Sequence, residues 1–80
     1  MMISPEHYRK IIKNYDLAKL RQKRDGLLAE IRRFENNEIS LEEQMMAPSP
    51  DVIYQCNNEY LIQVIDLINQ KFNASLYDDN

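Results

Sequence analysis

One glycine and three prolines in 80 residues constrain this chain more than any other feature. Glycine and proline are the strongest local interrupters of helices. Here the prolines, at 5, 48 and 50, all fall where a helix would begin or a connection would run. Such a composition favours helices joined by short connections. The predicted fold is all-α: a long antiparallel helical hairpin with a short N-terminal helix packed on it, coiled-coil-like in its seam.

The helix signals follow the chain in order. Ser4-Pro5-Glu6 places a capping hydroxyl, a proline at the first helical position and an acid in the first turn. Tyr8, Ile11, Ile12 and Tyr15 then recur at helical spacing, predicting a helix over 5–14. Asp16 can cap a second helix over 17–36. In it Leu17, Arg24 and Ile31 stand seven apart, as do Leu20, Leu27 and Phe34, the a/d pattern of a coiled-coil seam. The heptad keeps phase across Asp25-Gly26. A mid-helix glycine costs only about 1 kcal/mol relative to alanine, so one helix is expected, with Gly26 facing out.

Asn36-Asn37 reads as a stop, and 37–49 as the connection. Within it Ser40-Leu41-Glu42-Glu43 has the form of a capping box, good for a single turn. Ser49-Pro50-Asp51 repeats the entry chemistry of Ser4-Pro5-Glu6 and opens a third helix over 50–73. Residues 74–80 are expected to be a flexible tail. The whole of 1–80 reads as a single helical domain.

The apolar arcs of the two long helices differ. On a wheel of about 100° per residue, Leu17, Leu20, Leu27, Leu28, Ile31 and Phe34 fall within roughly 120°. One neighbour can cover that. On the third helix Ile53, Cys56, Tyr60, Leu61, Val64, Ile65, Leu67, Ile68 and Phe72 spread over roughly 180°, more than one neighbour covers, and the first helix is too short to shelter the remainder. An exposed apolar strip of this kind marks an interface. Tyr54, Leu61, Ile65, Ile68 and Phe72 are its expected residues, and a second copy of the chain the expected partner, since two-fold homodimers are the commonest oligomers. A different protein partner is the other occupant such a strip would accept. Two polar residues fall inside the apolar arcs, Arg24 and Asn57. They are expected either to pair, Arg24 reaching Asn57, Glu59 or Tyr60, or to leave Arg24 snorkelling to the rim.

Reactive chemistry finds little support. Cys56, His7 and Asn57 or Asn58 supply the residue types of a thiol triad. A cysteine in mid-helix on the apolar side is, however, better read as a small packed hydrophobe, away from the helix N-terminus or cations that make a thiolate. One histidine and one cysteine are too few for a zinc site, which takes about four ligands. Glu-x-x-His, the signature of a di-iron bundle, is absent, and a glycine-rich phosphate loop is impossible. No catalytic, cofactor or metal site is expected, and no enzyme.

Nucleic-acid binding is the rival reading. The net charge is −3, yet nine of the ten Lys and Arg residues lie between Arg9 and Arg33. Lys19, Arg21, Lys23, Arg32 and Arg33 would be the contacts. Against this, Asp25 and Glu30 interrupt the basic face, with Arg21–Asp25 and Glu30–Arg33 at intrahelical pairing distance. The acidic third helix would also repel phosphates. A solvated, salt-paired face is the preferred reading.

A lone cysteine suits a reducing compartment. No signal-peptide pattern opens the chain, and no apolar run approaches the roughly 18 residues a membrane span needs. A cytoplasmic location without membrane contact is expected. The runs "IRRFENNEI" (31–39) and "PSPDVIYQCNNEYL" (48–61) resemble short helical proteins without assigned activity from low-GC Gram-positive bacteria, often linked to mobile elements. The resemblance implies a bacterial cytoplasmic accessory protein and carries no site residue with it.

Overall fold

The computed structural model describes residues 2–77, and side chains for 2–74. It is all-α. Four helices follow one another: α1 Pro5–Ile12, α2 Leu17–Glu35, α3 Leu41–Gln44 and α4 Pro50–Tyr77. The long pair, α2 and α4, pack against each other as an antiparallel hairpin, and α1 packs on α4.

The starts of α1, α2 and α3 are each held by the predicted cap, and α4 opens at Pro50, where the Ile53 amide donates to the Ser49 carbonyl at 3.1 Å. The Ser4 hydroxyl accepts from the His7 amide at 3.2 Å, and the Asp16 carboxylate accepts from the Lys19 amide at 2.8 Å. The Ser40 hydroxyl accepts from the Glu43 amide at 3.2 Å. These bonds satisfy amides that a helix N-terminus leaves without intrahelical partners. The stop at Asn36-Asn37 is also explained. Asn37 sits at φ 58, and the Glu38 amide donates to the Arg33 carbonyl at 2.8 Å while the Asn37 amide donates to that of Phe34 at 3.1 Å. This is the Schellman arrangement, with asparagine taking the left-handed position that usually falls to glycine. Gly26 stands inside α2, exposed, with nothing within 4 Å of where a Cβ would be.

Three boundaries differ from the sequence reading, that of α2 by a single residue, since it ends at Glu35 with Asn36 as its C-cap. α1 ends at Ile12 rather than Asn14, with Lys13 as its C-cap. The turn needed to reach the Asp16 cap uses the intervening residues, and the Tyr15 amide donates back to the Ile12 carbonyl at 2.9 Å. α4 runs to Tyr77, past the expected end at Asn73. No glycine or proline follows Pro50, so nothing in the local chemistry stops it. Helix therefore replaces the expected tail over 74–77; the rest of that tail, 78–80, lies outside the described residues.

The hairpin is long and thin. At 1.5 Å per residue the 19 residues of α2 span about 28 Å and the 28 of α4 about 42 Å. The Cα envelope measures 54 × 24 × 15 Å. The core is a short seam where three helices meet: Ile12 from α1, Leu20 from α2, and Val64 and Leu67 from α4, with Tyr8, Tyr15, Leu27 and Ile68 against it. Toward the connection, α2 and α4 close on each other through Ile31, the stacked rings of Phe34 and Tyr54 (centroids 4.4 Å apart) and the Tyr54 hydroxyl, which donates to Glu35 at 2.9 Å.

Candidate interaction surface

The site follows from how α4 divides its circumference. Take Val64, fully buried, as the direction toward α2. At about 100° per residue, Tyr60, Leu67 and Gln63 lie 40–100° to one side, and Ile68, Leu61, Phe72 and Ile65 lie 40–100° to the other. On α2, with buried Leu20 as reference, Leu27, Lys23 and Lys19 fall to one side and Arg24, Leu17, Leu28 and Arg21 to the other. In an antiparallel pair these sides coincide, so the hairpin has two faces.

One face is built over by α1. The Tyr8 and Tyr60 rings stack with centroids 4.3 Å apart, and the Tyr60 hydroxyl donates to the Ile3 carbonyl. Arg9 donates to the Gln63 amide oxygen at 2.9 Å and to the Asp66 carboxylate at 2.7 Å. Tyr8 also meets the Lys19–Lys23–Leu27 side of α2 across a shallow groove, and the Lys19 ammonium lies 4.2 Å from the centre of the Tyr15 ring. Burial holds the phenols of Tyr8 and Tyr60 above the ordinary tyrosine pKa, with the neighbouring tyrosines adding to it at Tyr8. A phenolate would be both desolvated and close to other acidic groups.

The other face is open. Leu17, Leu28 and Leu61 are only half-buried, Ile65 is 41% exposed and Phe72 51% exposed. Ile62, one step further round, is 63% exposed. Of the five residues predicted for the interface, Leu61, Ile65 and Phe72 lie on this strip. Ile68 leans into the core, and Tyr54 is engaged within the chain by Phe34 and Glu35. Ile62 was not in the predicted set because it sits outside the 180° arc; only its size marks it.

The molecule as a whole is also rich in surface. Its accessible surface is 6002 Å² for a 9.6 kDa chain, whereas a compact monomer of that mass exposes about 5,100 Å². The excess of roughly 900 Å² matches the ~800 Å² that each partner of a standard interface buries.

The polar residues inside the arcs do not pair. Arg24 donates instead to its neighbour Asp25 at 3.1 Å, with 36% of its side chain exposed. Its position 40° round from Leu20 lets a long side chain leave the seam for water, which costs less than carrying a guanidinium across a dry interface to a neutral amide. Asn57 is 8% exposed and faces a cavity at the closed end of the hairpin. Arg21 is likewise not paired with Asp25, which Arg24 has taken. The Glu30–Arg33 pair forms, at 3.1 Å. Arg33 also reaches Glu43 of α3 at 2.9 Å, and its pKa is raised by that bond first. No sequence signal could have supplied this contact, because it depends on how the connection folds back.

The basic residues singled out for nucleic acid are divided between faces. Lys19 and Lys23 lie on the α1 side, Arg33 is held by Glu30 and Glu43, and only Arg21 and Arg32 stand exposed beside the open strip. Cys56 is half-buried in mid-helix, and His7 is exposed in the first turn of α1. Among the described residues no group of three His, Cys, Asp or Glu side chains is placed to hold a metal ion, and no helix is long and apolar enough to cross a membrane.

No protein-family model, curated protein or solved structure matches this chain.

Proposed function

We propose that this chain is a non-enzymatic helical interaction module that pairs with a second copy of itself through the open face of the hairpin. The observation that carries the reading is the apolar strip of Leu61, Ile65 and Phe72, bare on one edge of α4 while α1 covers the other. A strip left wet forfeits roughly 25 cal/mol for each Å² of apolar surface that pairing would bury. The surplus area is that of one side of an ordinary dimer interface.

Charge favours the same occupant. α2 carries six Lys and Arg against three acids, and α4 carries three acids against Lys71. A two-fold axis lying in the plane of the open face, along the helices, lays the basic α2 of one copy over the acidic α4 of the other. The helices that face each other then carry opposite net charge, the arrangement that steers and orients association.

Light scattering coupled to size exclusion tests this across micromolar concentrations. Twice the chain mass, falling to one chain mass on dilution, is expected for the native sequence. Ile65→Glu, which adds a charge to the middle of the strip, is expected to stay at one chain mass. A native chain that remains single at high micromolar concentration overturns the proposal.

A further inference from the structure

The closed end of the hairpin holds a cavity of about 280 Å³. Phe34, Ile39, Pro48, Ile53 and Tyr54 make its walls, Asn57 is its most buried lining residue, and Glu30, Met46 and Ala47 are exposed at its mouth. This size lies just below the range of small-molecule pockets, and the composition is theirs: mostly apolar, with few polar groups. A cavity of about 150 Å³ admits a benzene ring, so this one takes a two-ring group.

Asn57 carries the inference. A buried amide is ordinarily hydrogen-bonded. Asn57 is 8% exposed, yet its side chain makes no hydrogen bond among the described residues, while no fully buried side-chain nitrogen or oxygen lacks a partner. Asn57 lines the cavity, with its amide unpartnered among the described residues. An amide offers both a donor and an acceptor to whatever enters.

The mouth selects by charge. The Arg33 guanidinium is shared between Glu30 at 3.1 Å and Glu43 at 2.9 and 3.2 Å. Two carboxylates against one cation leave the rim negative. Tyr54, which lines the wall, has its hydroxyl bonded to a third carboxylate, Glu35.

We propose that this cavity is a binding site for one two-ring aromatic amine, the ring system seated against Phe34 and Ile53, a ring N–H bonded to the Asn57 amide oxygen, and the ammonium at the Glu30–Glu43 rim. The site lies apart from Ile65 and Phe72 and goes beyond the pairing of copies.

The test is an NMR titration of the ¹⁵N-labelled full chain with tryptamine, indole and indole-3-acetate in low salt. Saturable shifts at the backbone amides of Phe34, Ile39 and Ile53 and at the Asn57 side-chain amide are expected. Tryptamine should bind tightest and indole-3-acetate weakest, because the rim attracts the ammonium and repels the carboxylate. Asn57→Leu, similar in volume and checked for unchanged helix content by circular dichroism, should weaken tryptamine about fivefold, the loss of one hydrogen bond. A blocked Lys-Trp-Lys tripeptide run alongside tells a free amine from a partner's side chain by which binds the tighter. Failure of both to give a saturable shift at low millimolar concentration overturns the site. So does tighter binding of indole-3-acetate than of tryptamine, or equal binding of tryptamine by Asn57→Leu.

Discussion

The two edges of α4 begin with similar residues and end in different states. On one, Tyr60 and Leu67 are 5% and 6% exposed, capped by an aromatic stack, a hydroxyl bond and the Arg9–Asp66 pair. On the other, Ile65 and Phe72 are no less apolar but have no helix to meet. α1 has only 8 residues, about 12 Å of helix, and lies on a single side. The lesson is that hydrophobicity sets how much of a helix wants cover, while chain length and connection geometry decide which edge receives it. A third full-length helix would make this a closed bundle; an abbreviated one leaves an asymmetric slab.

The largest effect that sharpens the contrast is expected at the covered seam. Leu20→Ala removes a fully buried side chain from the cluster with Ile12, Val64 and Leu67. It should cost about 3 kcal/mol, the middle of the range for such truncations, read from urea unfolding by circular dichroism. That is a large part of the stability of any small domain. A loss below about 1 kcal/mol would mean the seam collapses round the gap and that the covered edge is packed no better than the open one.

A smaller effect is expected from Tyr60→Phe, which keeps the stacked ring and removes the bond to the Ile3 carbonyl. About 1 kcal/mol should be lost, with α1 loosened first. The pH dependence changes as well. The Tyr8 and Tyr60 phenols sit above the ordinary value of about 10, so the folded state holds protons that the unfolded chain releases. Their contribution is fully present below about pH 10 and is lost as the pH rises through the folded values. The native chain should therefore lose stability above pH 10, and Tyr60→Phe should lose it less steeply. An identical alkaline slope in the two would place the burden on other groups.

Smaller again, for a single chain, is Ile65→Glu. The position is 41% exposed and glutamate is the better helix former, so unfolding at high dilution should shift by no more than about 0.5 kcal/mol. At high concentration the native chain alone should gain stability, since only it can associate. If Ile65→Glu costs as much as Leu20→Ala in a lone chain, the open edge is not open.

Much of this architecture was legible in the residues, for a local reason. Ser4, Asp16 and Ser40 act on amides three positions ahead, and Asn36-Asn37 on carbonyls just behind, so their meaning is carried by the chain itself. The heptad through Gly26 held because periodicity belongs to a single helix. The width of the arc on α4 likewise announced an edge without cover. What was not legible depends on contacts between elements. Arg33–Glu43, Arg9–Asp66 and the Tyr8–Tyr60 stack need the angle at which separate segments meet. The cavity at the closed end exists only because the connection folds back over Phe34 and Ile53. The far end of α4 was misjudged because polar residues after Phe72 look like a tail, although nothing in them breaks a helix.

The smallest expected effect concerns the pair that the sequence suggested and the fold declined. Arg24 and Asn57 both stand in the seam on the wheel, yet Arg24 turns toward the open face and Asp25, while Asn57 turns toward the cavity at the closed end. Between two groups so separated in role, a double-mutant cycle should return additive losses. Arg24→Ala should cost under about 0.5 kcal/mol, as exposed ion pairs do. Combined with Asn57→Ala it should add to within about 0.3–0.5 kcal/mol. The cycle belongs at dilution, where each chain is alone, because in a paired state Arg24 lies at the strip and could find an acceptor on the other copy. A coupling above about 1 kcal/mol in the lone chain would mean that Arg24 crosses the seam. The open face would then lose Arg24 from its edge and keep only Arg21 and Arg32 as its cations.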